Sequence, residues 1–283
     1  MRPRRALPDG RLTCQLMADL LADGTSHRMY KGSRIAVVVP AFNEVTKIAA
    51  TLRSIPGFVD HVILVDDASL DATFRIAGKS QRRGLTLIRH ERNRGVGAAI
   101  GTGYLAALDL GAEVVAVMAG DSQMDPADLT NVIDPVVGKH ADYAKGNRFA
   151  WPGVYQAMPV ARIVGNFILS HLTRVASGYR DLFDSQCGYT AVNRRALGVI
   201  LRGPMFPRYG YPNHILTRLA AVGAKVVDVP VRPVYGPAWR SGIRIRKVVW
   251  PLLYLLARGT TERILRRTGV LRARSLGTHE APP

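Results

Sequence analysis

Asp121-Ser122-Gln123 places a carboxylate and a side-chain amide two residues apart. Hard divalent cations take oxygen ligands of these kinds. An ion held there could neutralise a diphosphate and stabilise it as a leaving group. The same aspartate could instead open a loop and cap a helix starting at Pro126, and the residue types leave both open. A second acidic pair, Asp66-Asp67, repels itself unless N–H donors or ribose hydroxyls bind it. Ser69 and Asp71 just after it also suit a helix N-cap. Asn93-Arg94-Gly95-Val96-Gly97 is glycine-rich and opens a helical stretch, where backbone N–H groups could face a phosphate. No Gly-Lys-Ser/Thr follows it, and the first apolar strand runs into Pro40-Ala41-Phe42-Asn43-Glu44 without a glycine. Neither a Walker nor a dinucleotide-binding fingerprint is met.

Such clusters need rigid elements to hold them. Ile35–Val39, Val62–Val65, Leu85–Arg89 and Val114–Met118 are continuous apolar, β-branched runs, the mark of buried parallel strands. Between and after them, Val45–Ser54, Asp71–Ser80, Gly97–Leu110 and Pro126–Val137 have helical character. Four alternations of strand and helix predict an α/β fold, with a mostly parallel central sheet and helices on both faces. Ligands of such sheets sit beyond the carboxyl ends of the strands. Residues 41–44, 66–67 and 121–123 all fall there. Further on, Val160–Ser177 and Pro212–Val222 predict helices and Lys225–Val231 a strand, with a strand-like stretch inside Asp184–Arg194. Ile243–Arg267 is basic and amphipathic.

The 283 residues are 47% hydrophobic, enough for a substantial core. The formal charge is +18. From Arg232 onward there are eleven basic residues against two acidic ones, and the first 34 residues hold seven against three. A basic tail suits phosphates, including those of anionic lipids. Cys14 and Cys187 have no metal-type spacing. No secretory signal is evident, and the longest apolar run, Val248–Ala257, has ten residues where a membrane span needs roughly 20. The expectation is residues 1–33 as a flexible leader, 34–235 as the catalytic domain and 236–283 as a basic amphipathic segment ending in a surface helix.

Six motifs in order carry a resemblance: Ile35 to Glu44, Val65-Asp66-Asp67-Ala68-Ser69, Asn93 to Gly97, Gly120 to Pro126, Gly146-Asn147-Arg148-Phe149, and Asp184 to Tyr189. Arg162 and Asn166 add to it. Over roughly residues 34–250 the chain resembles family-2 glycosyltransferases with the GT-A fold, and among them the dolichyl- or polyprenyl-phosphate sugar transferases. The resemblance implies that Pro40, Phe42, Glu44, Val65 and Asp67 border the nucleotide. It implies that Gly120, Asp121 and Gln123 hold the diphosphate, Asp121 and Gln123 through Mg²⁺ or Mn²⁺. Arg148 would sit by the phosphates, Arg162 and Asn166 would receive the acceptor, and Arg232 and Arg240 would fold over the donor from a late loop. Asp121, Arg148 and Arg162 are the residues expected to carry catalysis. One departure stands out: the family's Asp-x-Asp reads Ala119-Gly120-Asp121 here, so one metal ligand is missing.

A sugar hydroxyl needs a general base to attack, whereas a lipid phosphate is already anionic and needs cations to position it. Residues 150–200 hold no Glu-Asp base motif but do hold Arg162, Arg174 and Arg180. Asp184 is the best candidate if a base exists. The expected reaction is inverting transfer of mannose from GDP-mannose, or glucose from UDP-glucose, to a polyprenyl phosphate. It would take place at the cytoplasmic face of an anionic membrane, with room for a membrane-protein partner. Alternatives are transfer to a glycan or metabolite hydroxyl, and a nucleotide-sugar-binding protein impaired by Ala119. A nucleic-acid partner is not expected, because no nucleic-acid module accompanies the charge.

Overall fold

The computed structural model describes residues 4–5, 29–208, 210–234 and 261. Apart from Thr261, the basic segment 236–283 lies outside the described residues, and so do Arg240 and most of the 1–33 leader. The strands are β1 (Arg4–Arg5), β2 (Ile35–Ala41), β3 (His61–Asp66), β4 (Leu85–Arg89), β5 (Val114–Val117), β6 (Tyr143–Asn147), β7 (Thr190–Asn193) and β8 (Val226–Pro230). They form one sheet in the order β1-β4-β3-β2-β5-β7-β6-β8. Among the described strands β7 alone is antiparallel to its neighbours.

The apolar runs are continuous because both faces of the sheet are covered. Successive side chains of a strand point to opposite faces. Ala36 and Val38 of β2 join Ile63, Val65, Val115 and Val117 in one core. Helices α3 (Val96–Asp109), α7 (Arg194–Ile200) and α8 (Tyr211–Ala220) supply the other side of that core. Ile35, Val37 and Val39 point the other way, into a core with α1 (Ile48–Ser54) and α4 (Leu129–Val137). Each large aliphatic chain buried in this way contributes about 1.5–3 kcal/mol. The small residues of α3 let it lie close on the sheet: a Cβ at Gly103 would stand 2.3 Å from a Val38 methyl.

The remaining helices are α2 (Thr73–Ala77), α5 (Val154–Ala157) and α6 (Val160–Ser177), the last with the bounds predicted from sequence. The segment predicted as a helix over Asp71–Ser80 is shorter, because Asp71 takes the Thr73 N–H and starts the helix two residues later. Four elements have no counterpart among those expected from the sequence: β1, β6, α5 and α7. From β2 the sheet grows one way through β3 and β4 and the other way to β5, so the strand order reverses between β2 and β5. A crevice beyond the carboxyl ends at such a reversal is where ligands of α/β sheets bind.

Candidate active site

Two loops meet at that crevice, one after β2 and one after β5. The Gly120 N–H donates to the Pro40 carbonyl at 3.1 Å, tying them together. Gly120 allows this, since a Cβ there would press on Ala41, Ile48 and the Pro40 carbonyl at 3.2 Å. From α1, Thr51 Oγ1 donates to the Gly120 carbonyl and shares a 2.8 Å hydrogen bond with Ser122 Oγ. The loop after β2 is sewn to the loop after β3. Asn43 N donates to Ser69 Oγ, Glu44 N to Thr73 Oγ1, and Val45 N to Asp71 Oδ2.

Asp121 Oδ1 accepts the Gln123 N–H at 3.1 Å. Asp121 Oδ2 and the Gln123 amide have no hydrogen-bond partner among the described residues. Burial pushes the Asp121 carboxyl above the ordinary carboxylate range, and the Gln123 N–H, Lys47 and Arg162 pull it back only in part. Burial also raises Glu44, opposed by Lys47 at 3.4 Å and reinforced by Asp121. Glu44, Lys47, Asp121 and Arg162 therefore form one electrostatic group at the crevice. Among the described residues no cluster of three or more His, Cys, Asp or Glu stands ready to hold an ion by itself. Asp121 and Gln123 still suit Mg²⁺ or Mn²⁺, because such ions are often held by one or two protein oxygens together with substrate phosphates.

The other expected nucleotide residues are placed unevenly. Phe42 is exposed at the rim and Pro40 is buried in β2. Val65 is fully enclosed in the core, so its side chain packs rather than lining the crevice. Asp67 is braced inside the protein, accepting from His90 Nδ1 at 2.7 Å and from the N–H groups of Arg94 and Gly95 at 2.8 and 2.7 Å. Burial would raise its carboxyl, but these bonds outweigh burial and hold it low. The Arg94 and Gly95 amides of the glycine-rich stretch are accordingly taken by Asp67 rather than offered to a phosphate. Beyond Val96, the N–H groups of Gly97 and Ala98 donate to the Pro207 carbonyl. Asp66 is buried too, with Oδ2 on Ser69 N and Arg89 and with Oδ1 unpartnered.

Arg148 and Asp184 form a buried two-pronged pair, Nε to Oδ2 at 2.7 Å and Nη2 to Oδ1 at 2.9 Å. Burial would raise the Asp184 carboxyl, yet Arg148 and Lys145 hold it below its ordinary value. Lys145, fully buried on β6, donates to the Cys187 carbonyl. On α6, Asn166 is buried with Nδ2 unpartnered, and Arg162 one turn earlier is close enough to Asp121 to lower its pKa. The late loop reaches the same place. Val234 N donates to the Gln123 carbonyl, and the Arg232 guanidinium lies 5.9 Å from the Trp151 ring centre and 3.9 Å from Asp125. They border a cleft of about 440 Å³ beside Ser122 and Met124. Lys47 and Thr51 were not legible as site residues. Their one signal is the placement of Lys47 three residues after Glu44, on the approach to a helix.

The profile of the family described as Glycosyl transferase family 2 matches residues 36–201. UDP-N-acetylglucosamine–dolichyl-phosphate N-acetylglucosaminyltransferase of Methanococcus voltae is 30% identical over 216 residues, 71% of this chain and 86% of that protein. Polyprenol monophosphomannose synthase of Mycolicibacterium smegmatis is 28% identical over 253 residues, 84% of this chain and 92% of that protein. The crystal structure of glucosyl-3-phosphoglycerate synthase from Mycobacterium tuberculosis with UDP is similar in fold, with a TM-score of 0.59 at 19% identity. The match covers 92% of this chain and 88% of that one. That synthase has also been solved with Mn²⁺ and UDP. With loops from β2 and β5 closing on one crevice and a family match over more than half its length, this chain is a glycosyltransferase with the GT-A fold and belongs to glycosyl transferase family 2.

Proposed function

We propose that the chain transfers a hexose, mannose or glucose, from a nucleotide-sugar to a polyprenyl phosphate, with inversion. The observation that carries this choice of acceptor is the pairing of Asp184. Residues 143–193 contain two carboxylates, Asp181 on an exposed loop and Asp184 locked to Arg148. The acceptor side thus has Arg162 and the unpartnered amide of Asn166 but no free base. A cation and an N–H donor suit an oxygen that is already anionic. The names of the relatives from Methanococcus and Mycolicibacterium point to lipid phosphates as well.

In this proposal Phe42, Glu44 and the loop they share border the nucleotide, and Arg240 reaches it from a segment outside the described residues. Asp121 and Gln123 would hold Mg²⁺ or Mn²⁺, which when bound neutralises charge on the departing diphosphate. Arg162 and Asn166 orient the acceptor phosphate behind the anomeric carbon. The acceptor oxygen forms its bond to that carbon as the bond to the diphosphate breaks, and the electron pair leaves with the diphosphate. No proton has to be removed. Arg148, fixed by Asp184, contributes a preorganised positive charge. Ala119 removes one possible ligand, so ion affinity rests on Asp121, Gln123 and the donor itself. The site of action is the cytoplasmic face of an anionic membrane.

The test is a transfer assay. GDP-mannose and UDP-glucose are offered separately with Mg²⁺ or Mn²⁺, with and without polyprenyl phosphate. Glycolipid formed from one donor, and abolished in Asp121→Ala, is the expected result. Donor hydrolysis with transfer only to hydroxyl acceptors would overturn the acceptor assignment. Donor binding without turnover would mark Ala119 as the residue that disables the site.

A further inference from the structure

Helix α6 is amphipathic in the reverse sense. Its apolar residues Val160, Val164, Phe167, Ile168, Leu172 and Val175 are exposed, Val160 at 73% and Phe167 at 59%. Its polar residues Asn166, Ser170, Thr173 and Ser177 are buried. Ser170 Oγ accepts from Ser185 N at 2.9 Å, and Thr173 Oγ1 donates to Asn213 Oδ1 at 2.8 Å, so the inward face is held by hydrogen bonds. At roughly 100° per residue the six apolar positions centre on one side of the helix and the four polar ones on the opposite side. The stripe runs about 22 Å along the axis, at 1.5 Å per residue. Exposed Tyr155 and Phe183 flank it. Exposed His171 lies among the stripe residues, and an apolar surface of this extent marks a binding surface.

Charge selects the occupant. No acidic residue occurs between Asp142 and Asp181, and outside the buried core that stretch carries Arg162, Arg174 and Arg180. The Arg174 guanidinium lies over the Phe183 ring at 5.2 Å, bringing a cation to the edge of the stripe. The segment from Arg232 onward, with eleven basic residues against two acidic, would meet this helix as like charge, and so would a second copy of the same face. Anionic headgroups above an apolar interior match it. We infer that α6 docks on the surface of an anionic bilayer, its outward stripe entering the acyl boundary. The opposite face would then hold an acceptor phosphate at Arg162 and Asn166, about one helix diameter, roughly 10 Å, above that boundary. The inference deepens the lipid-phosphate proposal and rests on it for its use, but it concerns a different face of the helix.

The experiment uses the full chain with vesicles of phosphatidylcholine alone or mixed with phosphatidylglycerol. Wild type sediments with the mixed vesicles, and the Phe167→Glu/Ile168→Glu double variant binds them about tenfold more weakly or worse. Transfer to a water-soluble, short-chain prenyl phosphate is unchanged in that variant, while transfer to long-chain acceptor in vesicles falls. A second variant, Ile168→Trp, reports directly: its emission shifts to the blue with mixed vesicles and is quenched by brominated lipid. Vesicle binding that is absent in wild type, or unchanged in the double variant, overturns the inference. So does a dimer that the double variant dissociates, or a melting temperature that falls with vesicle binding intact, since these show the face covered by a second copy or by the chain's own segment. If vesicle binding follows α6 but no prenyl phosphate of either length is used, the docking face stands and the acceptor proposal fails. If short-chain transfer occurs while vesicle binding ignores the substitutions, the reverse holds.

Discussion

At Asp184 a fully buried carboxylate meets a buried guanidinium, and the pairing limits what chemistry the residue can do. A general base works best with a pKa near the working pH. Asp184 is held the other way, below the ordinary carboxylate value, and both of its oxygens are engaged by Arg148. Its role is to fix Arg148. Asp184→Ala strands Arg148 and Lys145 as buried cations and costs roughly 3–5 kcal/mol, read from urea denaturation. If the protein still folds, the donor KM rises as Arg148 loses its orientation, and the pH profile of the residual rate keeps its shape. Loss of kcat together with the acidic limb of that profile, at unchanged stability in Asp184→Asn, would identify a base instead. The same distinction applies at Asp67, whose oxygens serve His90, Arg94 and Gly95, and which braces a loop.

At the scale of elements, the start of α3 shows how the same residues serve two different ends. Glycines opening a helix suggest a phosphate cradle. Here they admit another stretch of backbone. Gly95 has φ +93°, and a Cβ on it would lie 2.4 Å from the Pro207 carbonyl oxygen. At Gly97 the corresponding contact is 2.1 Å to the Phe206 carbonyl oxygen. Gly97 has an ordinary helical backbone, so Gly97→Ala tests packing alone. It should destabilise by about 1–3 kcal/mol, as a drop in melting temperature without loss of donor affinity. A large loss of donor affinity at unchanged melting temperature would restore the phosphate cradle. The partner segment lies about 110 residues along the chain, so local spacing could not reveal it. The same reason separates what was legible from what was not. Strands β2 to β5 announced themselves because both of their faces are apolar. Strand β6 did not, since Tyr-Ala-Lys-Gly-Asn reads as a loop until tertiary structure encloses Lys145 and gives it the Cys187 carbonyl. Asp121 and Gln123 were legible from strand-end placement. The Arg148–Asp184 pair and the contribution of Lys47 exist only once distant segments meet.

For the whole molecule, an excess of positive charge and a few buried carboxylates set the response to pH in opposite directions. Asp228 lies on β8, in register with Lys145 on β6. Its Oδ2 accepts from Phe183 N at 2.6 Å, and its Oδ1 is buried without a partner. Burial pushes its carboxyl from the ordinary 3.8 up to about 6, against the pull of the Phe183 N–H and Lys145. A folded-state pKa raised above the unfolded value means stability fully present below the unfolded pKa and lost as pH rises through the folded one. For Asp228 that window runs from about 4 to about 6. Asp67 and Asp184, both lowered, act the other way and weaken the fold only when pH falls below the ordinary carboxylate range. The chain's net charge of +18 adds self-repulsion to this background. The net curve therefore mixes several titrations, and Asp228→Asn isolates one of them. An asparagine oxygen can still accept the Phe183 N–H, and the buried charge is gone. Melting temperatures of wild type and variant should agree below about pH 4. The variant should then pull ahead as pH rises through about 6 and hold a constant lead above it. A difference that does not change between pH 5 and 8 would mean that Asp228 ionises like an exposed carboxylate. The buried Oδ1 would then have found a partner that keeps its charge.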